Sequence, residues 1–176
     1  MSVESPDPAD TALQPADIAP DALKVTVVFE RVREPNAWEA WNHRPVQVLP
    51  DDPDAPTSPQ VVFDDGRVRR TLHSGLVVDL HRDEGEGYWL NLSSGSPAWF
   101  VMWRTHPQDP SQAAPELVSM SYHVAGRLLD AQERVDTVPM DEEVVTWLGQ
   151  WTALHYKPQP KERRRPASFR QPGGRR

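Results

Sequence analysis

The run Val25-Thr26-Val27-Val28-Phe29-Glu30 constrains the fold most tightly, because Val25, Val27 and Phe29 fall on one side of an extended chain while Thr26, Val28 and Glu30 fall on the other. A helix would scatter that apolar set. Similar runs recur with turn residues between them. Residues 60–63 stop at Asp64-Asp65-Gly66, and Asp-Gly readily takes the positive φ angles of a tight hairpin, so residues 67–73 read as the returning strand. Leu76, Val78 and Leu80 alternate up to Asp83-Glu84-Gly85-Glu86-Gly87, which reads as the next turn, and Tyr88, Leu90 and Leu92 alternate after it. Residues 98–104 (AWFVMWR) are apolar on both faces and make the best candidate for the most buried strand, with a sheet core beneath and a helix above. Residues 107–115 read as a flexible loop, 117–120 as the last meander strand, and 134–138 as a short strand or extended link.

Two helices complete the pattern. Ser121 suits an N-cap before Val124, Ala125, Leu128 and Leu129, and the helix should end near Gln132. Asp141, Glu142 and Glu143 place negative charge in a first helical turn ahead of Val144, Trp147, Leu148, Trp151 and Leu154. The expected class is α+β: an antiparallel meander or small barrel-like sheet with a C-terminal amphipathic helix and a shorter helix, flanked by disordered tails.

Charge divides the chain of 176 residues into three parts. Residues 1–23 carry Glu4, Asp7, Asp10, Asp17 and Asp21 with four prolines and no cation. Such a segment buries too little apolar surface to offset the entropy of ordering it. Residues 157–176 carry eight cations, among them Arg163, Arg164 and Arg165, against the single acid Glu162. One α+β domain is expected between them, over residues 24–156, with a formal charge of −9. That charge disfavours nucleic acid, whose affinity comes from neutralised phosphates, except weakly through the basic tail. The chain has no cysteine, hence no disulfide, thiolate metal site or cysteine-ligated cluster. Its start lacks the pattern of a signal peptide and no run is long enough to span a bilayer, so a cytoplasmic protein without a membrane partner is expected.

Motifs for chemistry are scarce. The nine glycines form neither a dinucleotide nor a phosphate loop, so no cofactor is implied by the residues themselves, and G-x-S-x-G is lacking. The six histidines have no metal-ligand spacing; His73 and His81 could meet across neighbouring strands near Asp79 or Asp83, as a polar surface pair. Asp79, Asp83, Glu84 and Glu86 crowd one turn that should be solvated, leaving no catalytic residue to name. Glu34-Pro35-Asn36 should break the ladder, placing Trp38 and Trp41 on a connection beside Arg44, ahead of a short strand after Pro45. Trp and Arg dominate interface hot spots, so Trp38, Trp41 and Arg44, with Arg163, Arg164 and Arg165, are the candidate partner-binding residues. Arg67, Arg69 and Arg70 form the one cationic cluster within the domain.

Several runs carry a resemblance: VTVVFERV, the pattern W-x-x-W-x-x-R-P-V-x-V-L-P over residues 38–50, V-x-L-H-R-x-E over 78–84, Y-x-L-N-L over 88–92, and VPM with the helix after it. Across residues 25–165 the chain resembles an uncharacterised bacterial family encoded beside molybdenum-dependent formate dehydrogenase genes, whose members are often labelled molybdopterin-guanine dinucleotide biosynthesis protein A. That label implies a glycine-rich nucleotide loop, which this sequence lacks. The resemblance implies a non-enzymatic accessory protein that binds a formate dehydrogenase subunit and assists its maturation or stability. The alternative it leaves is a carrier or processing enzyme for the molybdenum cofactor. It supplies no catalytic residue.

Overall fold

In the computed structural model, the described residues are 21–35, 40–52, 54–56 and 59–158. Trp38, Arg163, Arg164 and Arg165 lie outside them, as do most of the two expected tails. The order of elements is β1 (Ala22–Arg33), β2 (Trp41–Pro50), β3 (Gln60–Asp64), β4 (Val68–Asp79), α1 (Gly85–Leu92), β5 (Ala98–His106), β6 (Asp109–Ser119), α2 (Tyr122–Asp130), β7 (Arg134–Pro139) and α3 (Glu142–His155). The class is α+β with antiparallel pairing throughout, in two sheets of order β2-β1-β4-β3 and β6-β5-β7. The sheets face each other as layers and do not close into a barrel.

Alternation builds the core. Val25, Val27 and Phe29 of β1 and Val48 and Val78 of its neighbours meet Trp99, Val101 and Trp103 of β5, Val118 of β6 and Val138 of β7 in one buried cluster. The other face of β5 is buried as well, as its composition predicts: Phe100 and Met102 are both buried, and Phe100 lies edge-on to Tyr122 of α2 at 5.9 Å. Ser121 caps α2 by accepting from the Val124 amide at 3.2 Å.

Helices α1 and α3 close one end of the sandwich. Trp151 packs edge-on against Tyr88 at 5.6 Å and donates its indole N–H to the Asp21 carboxylate at 2.7 Å, while Leu80 N donates to the Asp21 carbonyl. Strand β1 therefore begins at Ala22, inside the segment expected to be tail, and Asp21 belongs to the packed end.

Bulges explain where the expected strands differ from those observed. The strands expected at 67–73 and 76–80 are one strand, β4 (Val68–Asp79), whose register against β1 shifts at Ser74 and Gly75, where Gly75 takes φ 81°. One extra residue flips the alternation, so Thr71 and His73 face inward before the bulge and Leu76 and Val78 after it. His73 thus lies in the middle of β4 and His81 beyond its end, not on neighbouring strands, so they do not form the expected pair. A second bulge, in β2 opposite Val28 and Phe29, lets both His43 and Val48 point inward. Residues 107–115 are mostly strand β6 rather than a loop, and Trp41 opens β2 rather than lying on a connection.

The largest correction falls on residues 85–92, which form α1, not a turn and a strand. Gly85 and Gly87 serve close packing. A Cβ on Gly87 would lie 2.2 Å from Ser121 Oγ, and one on Gly85 would lie 2.8 Å from Tyr156 Cβ. Glu84, expected at a solvated tip, instead binds Ser121 Oγ and Arg127. Asn91 is buried, donating to the carbonyls of Ala98 and Met120 at 2.8 Å each and accepting from Ala98 N at 3.0 Å, which ties α1 to both β5 and β6. No described helix is long and apolar enough to cross a membrane.

This packing predicts opposite signs for two glycine-to-alanine changes within helices. Gly87→Ala should destabilise by about 1–3 kcal/mol through overpacking, whereas Gly149→Ala, with open space around its Cβ, should stabilise by about 0.5–1 kcal/mol. Trp151→Ala should cost about 3–5 kcal/mol. Denaturant midpoints at constant slope provide the check; a neutral Gly87→Ala would contradict the tight α1–α2 approach.

Candidate functional site

Among the described residues, the end of the sandwich opposite α1 and α3 is open. There the last residues of β1 and β5 meet the first residues of β2, β4 and β6 around a cavity of about 530 Å³. Phe29 forms its floor, with His43 stacked at 6.3 Å, His73 edge-on at 6.0 Å and Trp103 edge-on at 5.5 Å. Two adjoining hollows of about 560 and 440 Å³ share His43 with it and are lined by Trp41 and Arg134.

Strand register places charge in rows. On the outer face Glu30 stands opposite both Arg44 and Arg70. Its carboxylate is 3 % exposed as a residue and accepts from Arg44 Nε and Nη2 at 3.0 and 2.7 Å and from Arg70 Nε at 2.9 Å. Burial by itself would raise the Glu30 pKa, but the bonds from Arg44 and then Arg70 outweigh it and hold the carboxyl below its usual range.

On the inner face, one position along, Arg31 stands opposite Arg69 on one side and His43 on the other. Arg31 Nη1 donates to the Ser111 carbonyl at 3.0 Å, and its guanidinium lies 4.4 Å from the Trp41 ring centroid. Its Nε is buried and lacks a hydrogen-bond acceptor among the described residues. Burial, then repulsion from Arg69, pushes its pKa down, partly offset by the fields of Asp64 and Asp109. Arg69 is held by Asp64 at 2.6 Å, and Arg104 at the rim by Glu116 and Glu133. His43 Nε2 lies 2.9 Å from the Pro110 carbonyl; since a carbonyl only accepts, that nitrogen carries the proton.

The residues proposed from sequence are thereby separated. Trp41 faces inward with Arg31 and Arg33, the latter 5.8 Å from its ring, whereas Arg44 faces outward as half of the Glu30 clamp. Sequence reading missed Arg31, His43, His73 and His106 as a group because only the bulges and registers bring them to one mouth. It read residues 60–63 as the first arm of a hairpin but did not name that strand, β3, as a candidate contact. All five of its residues are exposed, and Val61, Val62 and Phe63 are 51, 50 and 46 % exposed on a sheet edge. The three consecutive apolar residues before Asp64 were the available signal.

A family model described as "Protein of unknown function (DUF3305)" matches residues 24–165. Neither a curated protein nor a solved structure matches the chain.

The cavity wall predicts a pH dependence of stability. Burial pushes the His73 pKa below its ordinary value of 6.5, so below that value the unfolded chain takes up a proton that the folded chain resists. Stability should be full above about pH 6.5 and fall as pH drops from there through the folded value; His73→Gln should flatten that slope. Denaturant midpoints between about pH 7.5 and 5.5 test it, and an unchanged slope in His73→Gln would assign the dependence to other groups.

Proposed function

The chain belongs to the DUF3305 family, and we propose that it acts there as a non-enzymatic accessory protein that docks on a molybdenum-dependent formate dehydrogenase subunit and assists its maturation or stability. The dehydrogenase enters through the resemblance of the sequence runs described above. The docking part is carried by strand β3. An edge strand whose outer backbone groups are unpaired among the described residues, with three consecutive half-exposed apolar side chains, is a template for pairing with another chain, and folded proteins usually blunt such an edge. Trp41, between Arg31 and Arg33, offers a second rigid aromatic contact at the open end. Arg44 does not join it, being engaged by Glu30.

A second reading, a carrier or processing enzyme for the molybdenum cofactor, draws support from one observation. Arg31 and Arg69 face each other across the cavity wall and supply the cations that phosphate groups require.

Co-purification with a tagged formate dehydrogenase subunit, run beside titration with isolated molybdenum cofactor, separates the two. The docking reading predicts a complex weakened at least about tenfold, or about 1.4 kcal/mol, by Val61→Lys/Val62→Lys with the fold intact, and no joining of GTP to molybdopterin. Tight cofactor binding by a protein that leaves every dehydrogenase subunit unbound would overturn it.

A further inference from the structure

The two faces of the first sheet solve the same electrostatic problem differently. The outer row reads Arg70, Glu30, Arg44 across three strands, so a buried carboxylate sits between two guanidinium groups and binds both. The adjacent inner row reads Arg69, Arg31, His43, with a cation at the position where the outer row has its anion. Like charges directly opposite on neighbouring strands destabilise a sheet. Here the arrangement faces a cavity rather than open solvent.

Among the described residues lining that cavity, the one carboxylate is Glu116, and Arg104 already binds it. Asp64 bonds Arg69 through one oxygen, and Asp109 accepts from Ser111 and Gln112, so neither carboxylate hydrogen-bonds Arg31. A guanidinium has five N–H donors, and those of Arg31 meet one carbonyl and the Trp41 face, leaving the buried Nε without an acceptor. Buried cations are ordinarily paired, and an orphaned buried donor marks an anion or water that belongs there. His73 on the strand of Arg69 and His106 on the facing sheet add ring nitrogens, and Thr71 and Thr105 add hydroxyls. The apolar part of the lining, Phe29 with Pro107, Ala113 and Ala114, suits a carbon framework. At about 530 Å³ the cavity is large enough for a small organic molecule rather than a bare ion alone.

We propose that this cavity is a binding site for a small organic oxyanion, its phosphate or carboxylate group seated between Arg31 and Arg69 and its body over Phe29. The anion supplies to the inner row the neutralising charge that Glu30 supplies to the outer one. The proposal rests on the cavity alone and does not depend on the identity of any protein partner.

The test uses the purified full chain, with inorganic pyrophosphate as a phosphate probe and succinate as a carboxylate probe, followed by calorimetry and by imidazole proton shifts. At least one probe should bind saturably at one site and move the resonances of His43 and His73. The probe that binds more tightly identifies the anionic group. Arg31→Gln and Arg69→Gln should each weaken binding about tenfold or more, with cooperative melting preserved; Arg69 lies at the rim and serves if Arg31→Gln fails to fold. Replacing Arg163, Arg164 and Arg165 together by Gln should leave the affinity unchanged. No saturable binding of either probe up to about 10 mM, or binding that survives both cavity variants and disappears in the tail variant, would overturn the site.

Discussion

Everything in this fold depends on contact between two rows of inward side chains, Val25-Val27-Phe29 on β1 and Trp99-Val101-Trp103 on β5, which hold the two sheets face to face. Each row comes from a strand paired on both sides, so backbone donors and acceptors are satisfied where water is excluded. The indoles span the gap between layers, and Trp103 touches Phe29 at 5.5 Å while donating to Asp136 at 2.6 Å. Burial of this apolar area, at about 25 cal/mol per Å², supplies the driving force that the four-stranded and three-stranded sheets lack separately.

The two ends of that sandwich then diverge. At one, α1 and α3 bring Tyr88, Leu148 and Trp151 against the core, and hydrogen bonds from Trp151 and Leu80 to Asp21 fasten the start of β1 beneath them. At the other no helix among the described residues covers the mouth, and β1 changes character from Phe29 to Arg31 and Arg33 along the same inward face. Bulges in β2 and β4 make this possible, because each reverses the side-chain alternation partway along its strand. Val48 and Val78 can thereby serve the closed end while His43, Arg69 and His73 from the same strands serve the open one.

How much of this was legible in the sequence follows from the range of each signal. Period-two alternation identified β1, a run apolar on both faces identified β5, an Asp-Gly turn identified the return from β3 to β4, and periodic apolar residues behind a charged first turn identified α3, since these are local. The doubly apolar run of β5 also foretold its helix-covered back. Alternation misled at Tyr88, Leu90 and Leu92, where an eight-residue helix carries a similar pattern and the flanking glycines were taken for turn residues; their purpose, contact with Ser121 and Tyr156, is set by residues more than thirty positions away. The bulge at Ser74 and Gly75 likewise split β4 in two on paper. The cationic row was invisible because Arg31, His43 and Arg69 belong to three strands, and only register places them side by side. Arg44 seemed a partner to Trp41 for want of the knowledge that successive turns of the pleat send them to opposite faces.

Residues 25–30 and 99–103 are buried, whereas residues 31–33, 41–43 and 105–111 at the open end are mostly half-buried or exposed, so local opening should cost less there than in the core. Native-state hydrogen exchange tests this claim most directly, since it resolves opening free energies element by element. The account predicts that amides of residues 25–30 and 99–103 exchange only through global unfolding, while those of residues 31–33, 41–43 and 105–111 exchange through openings of distinctly lower free energy. Uniform protection across both groups, or the highest protection at the mouth, would contradict it.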